Sequence, residues 1–256
     1  TKNDRIQDWV RERASLNIKK SDNSQQRHPY EPCYLFESGI IPLASYPVKG
    51  VIWYQGESNA HNKEIHEILF PLLVDSWRKS WNKEFPFYYV QLSGLNRPSW
   101  PHFRDSQRRL EKIIPGSGMV VSSDLGDSLD VHPKRKQEVG ERLARLALNK
   151  TYGKDIVPSG PQYKESEFKN GYALISFDYA NGLRTSDDKD LRSFEIAEFD
   201  GLYFPAKAIV EGDKIKVWND KVKHPRFVRY GWAPYTNGNL VNRELLPAST
   251  FTSSDN

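Results

Sequence analysis

Phe87-Tyr88-Tyr89-Val90-Gln91-Leu92 is a run of aromatic and branched residues of strand length, with helical periodicity on both sides of it. Upstream, Ile65, Ile68, Leu69, Leu72, Leu73 and Trp77 recur at i, i+3, i+4, i+7, i+8 and i+12, one face of a helix. Pro71 falls inside that pattern and is expected to kink the helix or restart it. Downstream, Phe103 to Ile114 reads as a second helix. Further out lie two more β-type runs, Val51-Ile52-Trp53-Tyr54 and Met119-Val120-Val121-Ser122. A last helix follows Pro133, with Val139, Leu143, Leu146 and Ala147 on its apolar face. The order βαβαβα predicts an α/β fold, a parallel sheet covered by helices, with right-handed crossovers. A doubly wound sheet usually has about five or six strands, so three predict a sheet that is incomplete in this chain.

Outside this middle stretch, 49–152, the character changes on both sides. Residues 1–48 form a preamble. Asn3 or Asp4 is a candidate cap for a helix running to about Ile18, with Ile6, Trp9 and Val10 on one face. Residues 19–32 are polar and read as a surface loop, and Cys33 to Tyr46 suits a short helix ending near Pro42. Residues 153–256 lose helical periodicity. Short runs replace it: Tyr172 to Phe177, Ala206 to Val210 and Lys214 to Trp218, punctuated by Gly171, Gly182, Gly201, Gly212 and Gly231. This predicts a C-terminal β-rich region, with Ser249 to Asn256 fraying.

Composition narrows the function classes. The 256 residues carry a formal net charge of +4, 38% hydrophobic and 27% charged residues. That is apolar enough for a core and too weakly basic for nucleic-acid binding to be the default. No apolar run approaches the ~18 residues of a membrane span. Cys33 is the only cysteine, which excludes an intrachain disulfide and a cysteine-based metal site. The chain opens at Thr1 rather than Met, read as a cut end behind which a signal peptide would be out of view.

In parallel sheets, ligands bind outside the carboxyl ends of the strands. Those ends here are Gln55-Gly56-Glu57-Ser58-Asn59, Ser93-Gly94-Leu95-Asn96, and Asp124-Leu125-Gly126-Asp127 running on to Asp130-Val131-His132-Pro133. A histidine in such a loop, braced by an acid, is what a serine hydrolase needs: the acid fixes the tautomer and stabilises the imidazolium. His132 is the candidate base. Asp130 is the candidate brace, with Asp127 or a backbone carbonyl as alternatives. Pro133 suits the first turn of the helix that follows. The Gln55 amide at a strand-end turn can donate to a developing oxyanion, and Ser58 sits where a nucleophile is imaginable.

Both segments resemble the sialate O-acetylesterase family of SGNH (GDSL-like) hydrolases. The resemblance is carried by Trp53-Tyr54-Gln55-Gly56-Glu57-Ser58-Asn59, with support from Phe85 to Leu92, Val139 to Ala144, Val228 to Trp232, Asn239-Leu240 and Leu246 to Ala248. It runs from about Pro32 to the C-terminus. It implies a three-layer sheet of SGNH type, an acetylated carbohydrate substrate, a serine acyl-enzyme, no cofactor, and a secreted or periplasmic location. His132 and Asp130 are then catalytic, and Gln55, Gly56 and Glu57 form the oxyanion and substrate block. The family's nucleophilic serine lies in a Gly-Gln-Ser-Asn block well upstream of the segment matching Trp53 to Asn59. No such block precedes Lys49, so the serine is expected from an N-terminal portion or chain of the same protein. In the superfamily the acid commonly stands three residues before the histidine, a position held here by Leu129.

Other groups carry blander readings. His61 and His66 fall on different helix faces and read as two hydrated surface histidines rather than a metal pair. Lys134-Arg135-Lys136 reads as a solvated face, with a sialic acid carboxylate as its functional alternative. Trp53, Tyr54 and Trp100 read as core rather than sugar platforms. Two rival functions remain open. One is a glycosidase pairing Glu57 with Asp124 or Asp127. The other is a non-catalytic carbohydrate- or partner-binding chain.

Overall fold

The computed structural model describes residues 31–254, together with Asp8, Glu12, Asp22 and Asn23. The helix expected from Asn3 or Asp4 to Ile18 lies outside the described residues, save Asp8 and Glu12, which are both helical. A π-helical turn over Phe36–Ile40 and a 3-10 turn over Ile41–Leu43 lead towards the sheet.

The α/β part follows the predicted order: β1 Val51–Trp53, α1 Lys63–Trp81, β2 Phe87–Val90, α2 Trp100–Ile113, β3 Ser117–Val120 and α3 Lys136–Lys150. The sheet order is β1-β2-β3, parallel throughout. Strand alternation then sorts the layers. Phe87 and Tyr89 of β2 pack with Phe70 and Val74 of α1 and Leu110 of α2. Tyr88 and Val90 pack with Val139, Leu143 and Leu146 of α3 on the opposite face. Two successive crossovers in one direction lie on the same face when they share a hand, and α1 and α2 do so.

Pro71 neither ends nor restarts its helix: α1 runs through it from Lys63 to Trp81. Proline removes one backbone bond, and the burial of Phe70 and Val74 on either side outweighs that loss. The helix starts where the Asn62 side chain accepts from Ile65 N (3.4 Å) and ends at Asn82 in the left-handed region, φ 48°. Pro133 lies outside α3, whose first residue is Lys136, so it stiffens the preceding loop instead of opening the helix.

The β-rich part follows in ten short strands: β4 Gln162–Lys169, β5 Tyr172–Asp178, β6 Arg184–Thr185, β7 Phe194–Ala197, β8 Phe204–Pro205, β9 Lys207–Glu211, β10 Lys214–Trp218, β11 Phe227–Tyr230, β12 Leu240–Val241 and β13 Phe251–Thr252. Two four-stranded antiparallel sheets, β4-β5-β10-β9 and β13-β11-β7-β8, enclose one core around Ile175, Ile196, Ile215, Val217, Val228 and Phe251. The expected fraying of the C-terminus is corrected here. Residues Ser249 to Thr252 are buried and β13 pairs with β11, because Phe251 stacks on Tyr163 at 4.4 Å.

The two parts are joined through α2, whose polar residues Arg104, Asp105 and Arg108 are buried. Arg104 donates to three carbonyls of one loop: Gly231 (2.8 Å), Ala233 (2.6 Å) and Pro234 (3.1 Å). Burial lowers its pKa to about 9. Asp105 is ion-paired to Arg108 and Arg109 and accepts from Thr252 N at 3.4 Å. Buried charges persist only when bonded in this way. Among the described residues no helix is long and apolar enough to cross a membrane.

Candidate active site

The carboxyl edge of the sheet holds a cavity of about 490 Å³ in which the first and third strand-end loops meet. Gln55 and Glu57 line it from the loop after β1, and His132 from the loop after β3. Parallel strands force this convergence, since all their carboxyl ends open on one side.

Backbone geometry explains the tight turn after β1. Gly56 adopts φ +144°, a conformation that disfavours any side chain, and it is buried against α2. A Cβ there would stand 2.9 Å from Phe103 Cε1 and 3.0 Å from Cζ. Gly56 O then accepts from Asn59 N at 2.9 Å. Gln55 Nε2 donates to Asn59 Oδ1 at 3.0 Å, which fixes the amide and leaves its second hydrogen for a ligand. Gly56 itself lies behind the cavity wall, which Gln55, Glu57 and Ser58 form.

The His132 side chain is 86% exposed. Its backbone N–H donates to Asp130 Oδ1 at 2.9 Å, and its Nδ1 stands 3.5 Å from the same oxygen. One carboxylate therefore closes an Asx turn and faces the imidazole, leaving the far ring nitrogen for proton transfer. The contact to Nδ1 is long for a hydrogen bond, as such contacts often are without substrate. Asp127 Oδ1 accepts from Leu129 N at 2.8 Å, and Leu129 is exposed. Asp124 is tied bidentately to Arg142 at 2.7 and 2.6 Å, so one of the two carboxylates that the glycosidase reading offers as a partner for Glu57 is already engaged.

Sequence reasoning stopped one residue short of Arg97, which lines the cavity from the loop after β2 and stands 5.5 Å over the Trp100 ring. The strand-end rule finds it when the quoted block is extended past Asn96. Lys136, the first residue of α3, also lines the cavity, with Nζ 4.4 Å over the Tyr54 ring. Of its basic neighbours, Arg135 is paired to Glu138 at 2.6 Å. The core reading holds for Trp53, packed on Phe70, Trp77 and Phe87, and for Trp100, whose Nε1 donates to Ser93 O at 2.7 Å. Tyr54 packs half-buried against two core clusters and also lines the cavity, and burial raises the pKa of its hydroxyl.

His66 corrects the surface reading. It is 5% exposed, with its ring 5.2 Å from Phe70 and 4.6 Å from Phe103. Desolvation lowers its pKa to about 4, so it is a neutral packing residue behind the Gly56 turn. His61 is exposed. Among the described residues, no group of three or more His, Cys, Asp or Glu side chains is placed to hold a metal ion.

A parallel sheet layered by helices, with Gln55 and His132 lining one cavity at its carboxyl edge, is an α/β architecture that gathers polar side chains where such folds bind small molecules. The chain belongs to the family described as carbohydrate esterase, sialic acid-specific acetylesterase, whose profile matches residues 9–149. It is 31% identical to sialate O-acetylesterase of Mus musculus over 195 residues, 66% of this chain and 36% of that one. Against the Homo sapiens sialate O-acetylesterase the identity is 30% over 193 residues, 66% of this chain and 37% of that one. The chain thus spans about a third of the length of the curated relatives it matches. The crystal structure of a carbohydrate acetylesterase from Xanthomonas citri superposes with a TM-score of 0.84 at 35% identity, covering 91% of this chain and 56% of that one.

Proposed function

We propose that this chain carries the histidine and oxyanion side of a carbohydrate esterase that removes O-acetyl groups from sialic acid or a related sugar. The observation that carries the reading is the shared cavity of Gln55 and His132. In the proposed reaction a serine Oγ attacks the acetyl carbonyl while His132 takes its proton. The Gln55 amide donates to the carbonyl oxygen as it becomes negative. Collapse expels the sugar oxygen, which receives the proton back from His132. Water, deprotonated by the same ring, then hydrolyses the acetyl-serine to acetate. Asp130 orients His132, Gly56 sets the turn, and Glu57 closes the substrate side. Arg97 and Lys136 give the cavity cations that suit a sugar carboxylate.

The serine is proposed to come from an N-terminal portion or chain of the same protein. Residues 31–254 contain no Gly-Gln-Ser-Asn block. In further support, β1 is paired on one side only among the described residues, and its Ile52 is 67% exposed. A further parallel strand would cover both. A secreted or periplasmic location belongs to the same proposal.

The test is turnover of acetylated sialic acid by the polypeptide carrying both segments, with mass spectrometry of the trapped acyl-serine. Acetate release that depends on His132 supports the esterase. Absence of turnover with retained sugar binding would leave a binding chain, and an acyl group on Ser58 would place the nucleophile inside this chain.

A further inference from the structure

A second cleft lies at the other end of the strands. It has a volume of about 910 Å³ and opens on the amino edge of the sheet, where Lys49, Pro86 and Gly116 precede β1, β2 and β3. Four cations converge on it from separate segments: Lys49, Arg78, Lys83 and Lys150. One carboxylate, Glu84, shares the lining. Arg78 is the buried floor, 4% exposed. Its Nε and Nη2 donate to Phe85 O at 3.1 and 2.9 Å, and Nη2 also to Pro115 O at 2.8 Å. Its Nη1 makes no hydrogen bond among the described residues. We propose that this cleft is a binding site for a sugar-sized molecule bearing one anionic group, a carboxylate or a phosphate.

The competing explanation is that these cations merely complement helix ends. α1, α2 and α3 all finish at this edge, α2 at Ile113 just before the lining residues Pro115 and Gly116, and each C-terminus carries about half a negative charge. Lys150 also has a partner outside the lining, Glu111 at 3.3 Å, and Arg78 lies 3.5 Å from Glu84. Four cations against two carboxylates and three helix ends leave a surplus of about half a positive charge. The sign of that surplus sets the sign of the ligand's charge. The size follows from the volume, which lies within the ~300–1,000 Å³ of small-molecule sites. Concavity and a buried guanidinium with a free edge favour a small ligand over a flat protein partner. Pro86 and Tyr88 add apolar lining, and the Tyr88 hydroxyl is already bonded to Thr151 Oγ1 at 2.8 Å, so recognition falls to the cations.

The experiment is calorimetric titration of the full chain at low ionic strength with glucuronate, glucose 6-phosphate and glucose. The expected result is saturable millimolar binding of one or both anionic sugars and none of glucose; which anion binds identifies the carboxylate or the phosphate. Lys49→Gln with Lys83→Gln should weaken that binding by about 10-fold, since it removes two of the cations facing the anion. Arg97→Gln with Lys136→Gln removes the cations of the candidate active site at the opposite edge, and the saturable binding that remains in that variant should be the part that Lys49→Gln with Lys83→Gln weakens. Lack of saturable binding, equal binding of glucose, or binding lost only in the Arg97/Lys136 variant would overturn the proposal. The last outcome would place the anion in the candidate active site, so the two readings fail separately.

Discussion

Gly56→Ala tests whether the turn after β1 is set by backbone geometry and close packing together. At φ +144° the backbone is in a region that costs a side-chain-bearing residue about 1–3 kcal/mol. The new Cβ would approach the Phe103 ring to 2.9 Å, where carbon atoms prefer about 3.5–4.0 Å. Phe103 is fully buried against Ala60, Leu92, Leu95 and Trp100, so it has nowhere to retreat, and overpacking of that kind costs about 1–3 kcal/mol. The sum, about 2–6 kcal/mol, is a large part of the ~5–15 kcal/mol of a typical domain. Urea unfolding of wild type, Gly56→Ala, Phe103→Leu and the double variant separates the parts. The smaller leucine side chain of Phe103→Leu should relieve the clash but not the strain, giving a favourable coupling of about 1–2 kcal/mol. A Gly56→Ala cost below about 0.5 kcal/mol, or additive single effects, would refute the reasoning.

On the proposed function, His132→Ala in a polypeptide that also carries the proposed serine should abolish acetate release and leave the urea midpoint unchanged, since the ring is almost wholly exposed; residual turnover above about a thousandth of wild type would argue against the proposed role as base. Gln55→Ala should slow turnover by about 10²–10³-fold, measured as kcat on an acetylated sugar. Ser58→Ala should keep most of the activity, and loss of the acyl-serine adduct on that change would identify Ser58 as the nucleophile. His66 predicts an acid-sensitive fold. The unfolded chain takes up its proton near 6.5 and the folded chain only near 4, so stability is full above pH 6.5 and falls by about 3 kcal/mol as the pH drops to 4. Unfolding at pH 7.5 and 4.5 should show this slope, and His66→Phe should flatten it. Arg104→Met should cost about 2–4 kcal/mol, because the buried Gly231 carbonyl and the half-buried Ala233 and Pro234 carbonyls lose their donor; thermal unfolding reads the loss.

The α/β half was legible because alternation in β2 feeds two separate helix layers. Phe87 and Tyr89 meet α1 and α2 while Tyr88 and Val90 meet α3, so both periodicities are written into local sequence. The polar face of α2 was not legible. Nothing local marks Arg104, Asp105 and Arg108 for burial, because the groups that accept from and donate to them lie far along the chain, at Gly231 to Pro234 and Thr252. His66 misled for the same reason, since helix periodicity cannot show that Phe103 of another helix covers the ring. Phe251 sits in a polar tail by composition, yet its ring completes a stack with Tyr163.

The same distinction divides the candidate site. Gln55 and His132 could be paired from sequence because parallel strands impose a common edge. Which acid lies near His132 depends on loop dihedrals that no spacing encodes; the Asx turn at Asp130 brings that carboxylate to 3.5 Å from the imidazole Nδ1. The β-rich part then acts on the site from a distance. Arg104 anchors the Gly231–Pro234 loop, and Leu95 N donates to Pro234 O at 3.3 Å. Tyr235 packs so close to Gly94 that a Cβ there would stand 2.9 Å from its ring. The β2 and β3 loops touch through Gly94 and Gly126 as well, where a Cβ on Gly126 would overlap the Gly94 backbone. The strand-end loops are therefore clamped from behind by the C-terminal part. Arg97 follows directly on this clamped segment and reaches the cavity that His132 lines. Loosening the clamp at Arg104 should thus disturb the substrate side of the site before it disturbs His132, whose Asx turn is self-contained.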